Sequence, residues 1–271
     1  MDRKAIADII LRELKGKQEE LTTLYDMSNS VIKHVVVDDL LPKELVQKAN
    51  ELFPSTSDCS LKKSLKECKY VSAQMNEHHP LLEEILFAFQ DERIVRLIQE
   101  ICGIKEQLVA DEFLYAGGLS LMNEGCFLNP HLDNSHDSDR HRWRALNLLY
   151  YVSPDWKLEN GGNLELWPKG VQKQPIELQS TCNRLVIMVT HDRSWHSVNK
   201  VLVDKDRKCI SNYYFTSKPL PEHQEFHVTT FKGRPNQKLR NMILNTDSKL
   251  RMGIRKFFKN GIRKNPHIYK K

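Results

Sequence analysis

The stretch NPHLDN at residues 129–134 constrains the fold and the chemistry of this chain more than any other. His131 and Asp133 are two positions apart, so on an extended strand their side chains leave from the same face and can close on one ion. His196 follows 63 residues after Asp133 and stands just before an apolar alternating stretch, which makes it the first candidate for a third ligand. His191 is the alternative. Two imidazoles and one carboxylate can bind a divalent iron and leave its opposite face open, so the pattern predicts a metal site.

Length and cysteine usage limit the class of protein. The chain has 271 residues, enough for one large domain with a substantial core. Its six cysteines include no C-x-x-C pair, which argues against a zinc knuckle or a thioredoxin-like motif and favours reduced thiols. Residues 1–17 contain no apolar core of signal-peptide length, and no segment approaches a membrane span. We therefore expect a cytoplasmic protein without a transmembrane segment.

Charge is distributed unevenly along the chain. Residues 232–271 contain 13 Lys or Arg against the single acid Asp247, whereas residues 1–231 carry a net charge of −6. Apolar residues recur in this C-terminal segment at roughly helical spacing, which predicts a basic helical extension. Such an extension is either a solvated basic face or a surface for an acidic partner, such as nucleic acid, an anionic glycan, a phosphorylated substrate or anionic lipid.

The first 53 residues are predicted to be mainly helical. Residues 1–30 form an amphipathic helix, an apolar β-branched run at 31–37 is a strand, and Pro42 opens a second helix. The apolar face of the first helix has four members, which are Ile6, Ile9, Ile10 and Leu14.

The pattern of polar and apolar residues changes after residue 53. Residues 54–70 are polar and lysine-rich, which predicts a surface loop. Pro80 opens a long helical pattern that continues until Gly103, and these helices are expected to buttress one side of a sheet. After Lys105, short apolar segments alternate with Gly, Asn, Asp and Pro, which is typical of a β-sandwich or barrel.

Several motifs in fixed order carry a family resemblance. NPHLDN is followed by a strand ending in Tyr150-Tyr151, by GGNLELWP at 161–168, by SWHSV at 194–198 and by RKCISNYYF at 207–215. Together they resemble the catalytic domain of the prolyl-4-hydroxylase-like 2-oxoglutarate- and iron(II)-dependent dioxygenases, closely over residues 110–216 and more loosely over 31–109.

The resemblance implies an α+β, mainly β fold. Its core is a double-stranded β-helix, or jelly roll, at about residues 105–217, with N-terminal buttressing helices. The expected organisation is an N-terminal amphipathic helix at 1–30, a dioxygenase domain at 31–231 and the basic helical extension at 232–271.

The same resemblance implies roles for individual residues. The family places Ser-x-His-x-Val at the distal metal ligand, which favours His196 over His191. Arg207 corresponds to the arginine that anchors the distal carboxylate of 2-oxoglutarate, a role for which a planar guanidinium is better suited than the ammonium groups of Lys205 or Lys208.

The resemblance also implies that one face of the strand at 145–152 points into the active site. This face carries Asn147, Leu149 and Tyr151, and Tyr151 matches the family tyrosine that donates its hydroxyl to 2-oxoglutarate, with a core aromatic as the alternative. Many relatives carry a tyrosine nine residues before the first ligand histidine, where this chain has Met122. That contact is absent here or comes from elsewhere, for which Tyr115 is a candidate.

The implied reaction hydroxylates an unactivated C–H bond and converts 2-oxoglutarate to succinate and CO2. It requires Fe(II), 2-oxoglutarate and O2, with ascorbate as a supporting reductant. The substrate is a prolyl residue, an amino acid or a small-molecule or glycan precursor, and His136 and His141 are either substrate contacts or solvated loop residues.

Two other functions compete with this one. Oxidative demethylation of nucleic acid is disfavoured because DNA-dealkylating relatives carry a second arginine where this chain has Tyr213. A non-catalytic, metal-binding jelly roll that recruits a partner through its basic helices is the third hypothesis. The oligomeric state does not follow from the sequence.

Overall fold

The computed structural model of the chain describes residues 1–28, 30–221, 224–257 and 268–270. Within these ranges the α-helices are α1 (Arg3–Gly16), α2 (Gln18–Met27), α3 (Lys43–Glu51), α4 (Pro80–Ala88), α5 (Glu92–Ile101) and α6 (Lys238–Phe257). The strands are β1 (His34–Val37), β2 (Ser60–Lys63), β3 (Glu67–Ser72), β4 (Val109–Ala110), β5 (Gly118–Met122), β6 (Phe127–Leu132), β7 (Trp143–Tyr151), β8 (Leu164–Leu166), β9 (Ile176–Leu178), β10 (Arg184–Val189), β11 (His196–Val198), β12 (Arg207–Thr216) and β13 (Thr230–Phe231).

The strands form one curled antiparallel sheet. Ten of them follow the order β1-β10-β7-β12-β5-β3-β6-β11-β8-β9, while β2 pairs with β3, β4 with β12 and β13 with β6. Residues from β5, β7 and β12 and from β6, β8 and β11 line the same internal cavity, so the two halves of the sheet face each other. The architecture is the mainly β jelly roll with attached helices that the sequence predicts.

The N-terminal helices pack together beside the sheet. α1 contacts α4 and α5 through a face that is completely buried at Ile6, Ile10 and Leu14. The ring of Tyr150 on β7 lies 5.7 Å from the ring of Phe89, which follows α4. Burial of such aromatic and aliphatic side chains is the main source of stability for this layer, at about 1.5–3 kcal/mol for each large side chain.

The structure corrects three sequence expectations in this region. Residues 54–70 are not simply a loop, because β2 and most of β3 form an edge hairpin whose first strand is fully exposed and therefore lacks an apolar alternation. The long helical pattern after Pro80 is two helices, since α4 ends at Ala88 and Asp91 caps the start of α5 by accepting a hydrogen bond from the backbone of Arg93. The N-terminal segment is likewise two helices, which meet at Lys17.

The C-terminal extension is helical over α6, and Leu244 on this helix is buried in a small apolar cluster with Phe231. The remainder of the predicted extension, including Phe258, lies outside the described residues apart from 268–270. None of the helices described is long and apolar enough to cross a membrane.

Candidate metal and co-substrate site

Sheet pairing brings the three predicted metal ligands together. His131 on β6 stands directly opposite His196 on β11, and their ring centroids are 4.1 Å apart. Asp133 follows the end of β6, and its two carboxylate oxygens lie 3.7 Å from the Nε2 atoms of His131 and His196, respectively. One ligand atom from each residue lies within 4.8 Å of the others, which is the spacing of a site for one ion.

Hydrogen bonds fix both histidines in one orientation. Nδ1 of His131 lies 3.0 Å from the carbonyl oxygen of Asn129, and Nδ1 of His196 lies 2.9 Å from that of Ser194. Since a carbonyl oxygen only accepts, each Nδ1 must carry the proton, which leaves the lone pair of Nε2 directed toward Asp133. Burial lowers the pKa of His131 to about 3, so its imidazole is neutral near pH 7, as a metal ligand must be.

Arg144 on β7 holds the carboxylate of Asp133. Its Nη1 lies 3.3 Å from Oδ2 of Asp133, its Nη2 donates to Asn134 at 2.7 Å, and its guanidinium stacks on the ring of Tyr213 at 4.3 Å. Burial raises the pKa of Asp133, but nearby positive charge, to which Arg144 is the largest contributor, outweighs burial and holds the pKa below its usual value. Asp133 is therefore ionised.

The donor set fits a divalent cation. Oδ2 of Asp133 is buried, accepts no hydrogen bond from the described residues and lies 3.7 Å from Nε2 of His196, so it keeps a lone pair available for a metal ion. Sequence reasoning did not find Arg144. Its only signal is an arginine at the start of an otherwise apolar strand, next to Trp143.

A cavity of about 260 Å³ extends from the His-Asp-His cluster to Arg207 on β12. The Arg207 guanidinium is buried over the ring of Tyr151 at 4.7 Å, its Nε donates to the Ser180 hydroxyl at 3.1 Å, and its Nη1 lies 3.8 Å from the sulfur of Met122. Among the described residues these contacts include no carboxylate. A buried cation without an anionic partner is costly, so the arrangement suits the carboxylate of a ligand.

The predicted face of β7 points toward the same region. Asn147 and Leu149 line the cavity, while Tyr151 lies beneath Arg207. The Oδ1 atom of Asn147 and the hydroxyl of Tyr151 are buried without a hydrogen-bond partner in the described part of the chain. Burial raises the pKa of Tyr151 to about 12, so its hydroxyl keeps its proton and can donate it.

Two residues that sequence reasoning did not assign to the site position Arg207. The Ser180 hydroxyl accepts from Arg207 and donates to the carbonyl oxygen of Gly162 at 2.8 Å. Gly162 has φ of +66°, and a Cβ there would lie 3.1 Å from Cδ of Arg207. The Gly161-Gly162 pair, interpreted from the sequence as a strand entry, therefore also provides the close approach that Arg207 needs.

The rival ligands and anchors are engaged elsewhere. Both ring nitrogens of His191 are occupied, Nε2 by the carbonyl of Val31 at 2.8 Å and Nδ1 by the backbone amide of Arg193 at 3.0 Å. Lys208 donates to Asn50 at 2.9 Å on the opposite side of β12, and Lys205 is exposed.

The remaining candidates are also separate from the co-substrate cavity. His136 contacts Ser135 at 3.0 Å through Nδ1, and His141 is exposed. Tyr115 donates no contact to Arg207: its hydroxyl lies beside Asn134, and it lines another cavity and not the one that Arg207 lines.

Comparisons with known proteins agree with this geometry. Residues 117–215 match the family model of the 2OG-Fe(II) oxygenase superfamily. No curated protein matches the chain.

Solved structures share the fold. A prolyl-4-hydroxylase from Pseudomonas putida is 14% identical with a TM-score of 0.52, covering 72% of this chain and 98% of that one. A prolyl hydroxylase from Trichoplax adhaerens, solved with a hypoxia inducible factor oxygen degradation domain peptide fragment, is 16% identical with a TM-score of 0.54, covering 74% and 91%. The 2-oxoglutarate-dependent epimerase SnoN of nogalamycin biosynthesis is 15% identical with a TM-score of 0.52, covering 77% and 89%.

A jelly roll that encloses a His-Asp-His cluster defines the class of non-haem iron oxygenases. The match to the 2OG-Fe(II) oxygenase superfamily lies over residues 117–215, the part of the chain that carries His131, Asp133, His196 and Arg207. The chain is a 2-oxoglutarate-dependent dioxygenase of the hydroxylase type, and its cofactor and co-substrate are Fe(II) and 2-oxoglutarate.

Proposed function

We propose that His131, Asp133 and His196 bind the iron of this enzyme and that Arg207 anchors 2-oxoglutarate. The observation that carries the proposal is a single buried cavity with the His-Asp-His cluster at one end and an arginine without a carboxylate partner at the other. Bound there, iron(II), 2-oxoglutarate and O2 supply the oxidation of an unactivated C–H bond, coupled to the formation of succinate and CO2.

The residues of the chain bind and orient these groups. The two Nε2 atoms and one Asp133 oxygen provide the metal ligands, while Arg144 keeps the carboxylate fixed and ionised. Arg207 offers a planar pair of donors to the distal carboxylate of 2-oxoglutarate, and the protonated Tyr151 hydroxyl adds a further donor. Asn147 and Leu149 form the wall of the cavity between the two ends.

The substrate is a separate matter from the co-substrate. A prolyl residue, a free amino acid and a small-molecule or glycan precursor are all compatible with the reaction, and the shared fold with prolyl hydroxylases and with an epimerase does not choose among them. Ascorbate is expected to support turnover by keeping the iron reduced.

Succinate release tests the function. Purified protein with Fe(II), 2-oxoglutarate and O2 is assayed alone and with proline-containing peptides, free amino acids and nucleotide-linked sugars. We expect succinate to form and to increase with one class of substrate, and His131→Ala to abolish it. His141→Ala is the matched control because this histidine is exposed and outside the cavity. No succinate under any condition, or equal amounts from the two variants, would refute the proposal.

A further inference from the structure

A larger cavity of about 780 Å³ opens beside the metal ligands. His131 and Asp133 line both this cavity and the smaller one, whereas Arg207 lines only the smaller one, so a molecule bound in the larger cavity lies next to the metal ligands and leaves the proposed co-substrate anchor free. Clefts of about 300–1,000 Å³ are of the size that binds small molecules. Its apolar lining includes Leu128, Val228, Phe231 and Ile254.

One wall of this cavity belongs to the basic C-terminal helix. Leu244, Ser248, Arg251 and Arg255 follow one another at intervals of four, three and four residues and therefore share a face of α6. Leu244 and Ser248 are buried, and Arg251 and Arg255 line the cavity one and two turns further on. The face of α6 that packs on the domain therefore ends at the larger cavity.

The start of α6 is fixed to the metal-binding half of the sheet. Arg234, just before the helix, forms two hydrogen bonds of 3.0 and 2.7 Å with the carboxylate of Glu165 on β8 and a third of 3.1 Å with the carbonyl of Val198 on β11. Bidentate pairs of this kind define a geometry as well as contributing energy. The position of Arg251 and Arg255 is therefore tied to the strand that carries His196.

Positive charge exceeds negative charge around the larger cavity. Among the described residues, five cationic side chains line it and three carboxylates form ion pairs with them, two from the cavity and Asp247 from α6. Arg255 pairs with no carboxylate of the described residues, and Nη2 of Arg251 is buried without a hydrogen-bond partner. The ion pairs are Lys69–Glu67 at 3.1 Å, Arg144–Asp133 at 3.3 Å, and Lys66–Asp247 and Arg251–Asp247 at 2.7 and 2.9 Å.

The excess of positive charge around the larger cavity remains when iron(II) and 2-oxoglutarate are bound. Iron(II) and dianionic 2-oxoglutarate cancel each other in charge, so about two positive charges stay uncompensated beside a partly apolar pocket. Cations in a cleft with low-dielectric walls attract an anion, and guanidinium groups bind phosphate and carboxylate through paired donors.

We propose that the substrate is a small molecule bearing an oxyanion, a phosphate or a carboxylate, which Arg251 and Arg255 of α6 bind while the carbon to be oxidised lies at the metal. The inference rests on the proposed function, because it assigns the substrate class of the same site. It also gives the basic C-terminal helix a role in substrate selection.

Binding measurements with matched probes test this inference on the full chain loaded anaerobically with Fe(II) and 2-oxoglutarate. The probes are glucose 6-phosphate, glucuronate and neutral glucose, titrated by calorimetry. We expect at least one anionic sugar to bind roughly tenfold or more tightly than glucose, since one charged hydrogen bond contributes about 1.5–3 kcal/mol. The two anions distinguish a phosphate site from a carboxylate site.

A double substitution locates the binding. Arg251→Gln with Arg255→Gln should weaken the preferred anion by roughly tenfold or more, whereas Lys249→Gln, which removes an exposed charge from the same helix outside the cavity, should leave it unchanged. Thermal melting checks that the double variant is folded. A variant that combines Arg251→Gln with Arg255→Lys should bind the anion more tightly than the double Gln variant, because it keeps the positive charge at residue 255.

The outcomes separate the two proposals. Equal affinity for glucose and both anions, or an unchanged affinity in the folded double variant, would overturn the inference about α6. The visible charge-transfer band of 2-oxoglutarate on iron(II) reports the proposed function independently in the same samples. If the band is absent, the metal and co-substrate assignment fails, whereas its presence without anion binding refutes only the substrate class.

Discussion

Nη1 of Arg144 lies 3.3 Å from Oδ2 of Asp133, so the carboxylate proposed to bind iron also forms an ion pair with a buried guanidinium through a buried oxygen. The arginine comes from β7, whereas Asp133 follows β6, and these strands belong to opposite halves of the curled sheet. The pair therefore joins the metal site to the wall that faces it.

Replacement of Arg144 by Met should destabilise the metal-free protein. Removing one partner of a buried ion pair leaves the other charge uncompensated, at a cost of about 3–5 kcal/mol. A bound divalent cation restores a positive neighbour to Asp133, so the loss should be smaller in the metal-saturated protein. Urea unfolding with and without metal measures both values. Arg193→Met, at an exposed position, is the control, and an equal loss in both states would contradict this role of Arg144.

Arg207→Gln should weaken the binding of 2-oxoglutarate by roughly a hundredfold, because truncating one partner of a buried charge pair costs about 2–5 kcal/mol. Arg207→Lys keeps the charge but loses the planar pair of donors, so its affinity for 2-oxoglutarate should lie between those of the wild type and Arg207→Gln. The neighbouring Lys205→Gln removes an exposed charge and should bind normally. Anaerobic titration of 2-oxoglutarate gives these constants, and normal affinity in Arg207→Gln would show that the anchor lies elsewhere.

Ser180 is expected to act through Arg207. Ser180→Ala removes the hydroxyl that accepts from Nε and should raise the KM for 2-oxoglutarate by about tenfold, the cost of one hydrogen bond to a charged group, with little effect on kcat. Ser180→Thr keeps the hydroxyl and should recover part of the affinity. A fall in kcat with unchanged KM would point to a different role.

His136 should make stability depend on pH in mildly acidic solution. Burial, and then the charges of Arg140 and Arg255, lower its pKa from 6.5 to about 3 in the folded protein. Between these values the unfolded chain binds a proton that the folded chain does not, so the free energy of unfolding falls as the pH falls below about 6.5. The contribution approaches 1.4 kcal/mol per pH unit for one proton.

His136→Gln isolates this contribution. Metal-free wild type and variant are compared by urea unfolding at several values between about pH 5 and 7, and the variant should show the shallower slope. Identical slopes would mean that His136 titrates alike in the folded and unfolded states.

Local sequence patterns predicted those parts of the site that depend on strand periodicity. His131 and Asp133 leave one face because they are two residues apart, and the same alternation placed Asn147 and Leu149 on the cavity side of β7. The resemblance of the SWHSV and RKCISNYYF motifs supplied His196 and Arg207, which the structure brings to the same cavity.

Contacts between distant strands account for what was missed. Arg144 and Ser180 act through partners that folding alone brings close, and neither has a distinctive neighbouring motif. The β2–β3 hairpin was not predicted, because its exposed edge strand carries lysines in place of an apolar alternation. The break between α4 and α5 is a local capping event at Asp91, which the continuous apolar periodicity conceals.

The measurement that tests the central claim most directly is an anaerobic titration of 2-oxoglutarate into the Fe(II)-loaded protein, followed in the visible spectrum. The wild type and His141→Ala should develop a weak metal-to-ligand charge-transfer band that saturates with 2-oxoglutarate, and His131→Ala should not. Absence of the band in the wild type, or its persistence in His131→Ala, would contradict the assignment of this site.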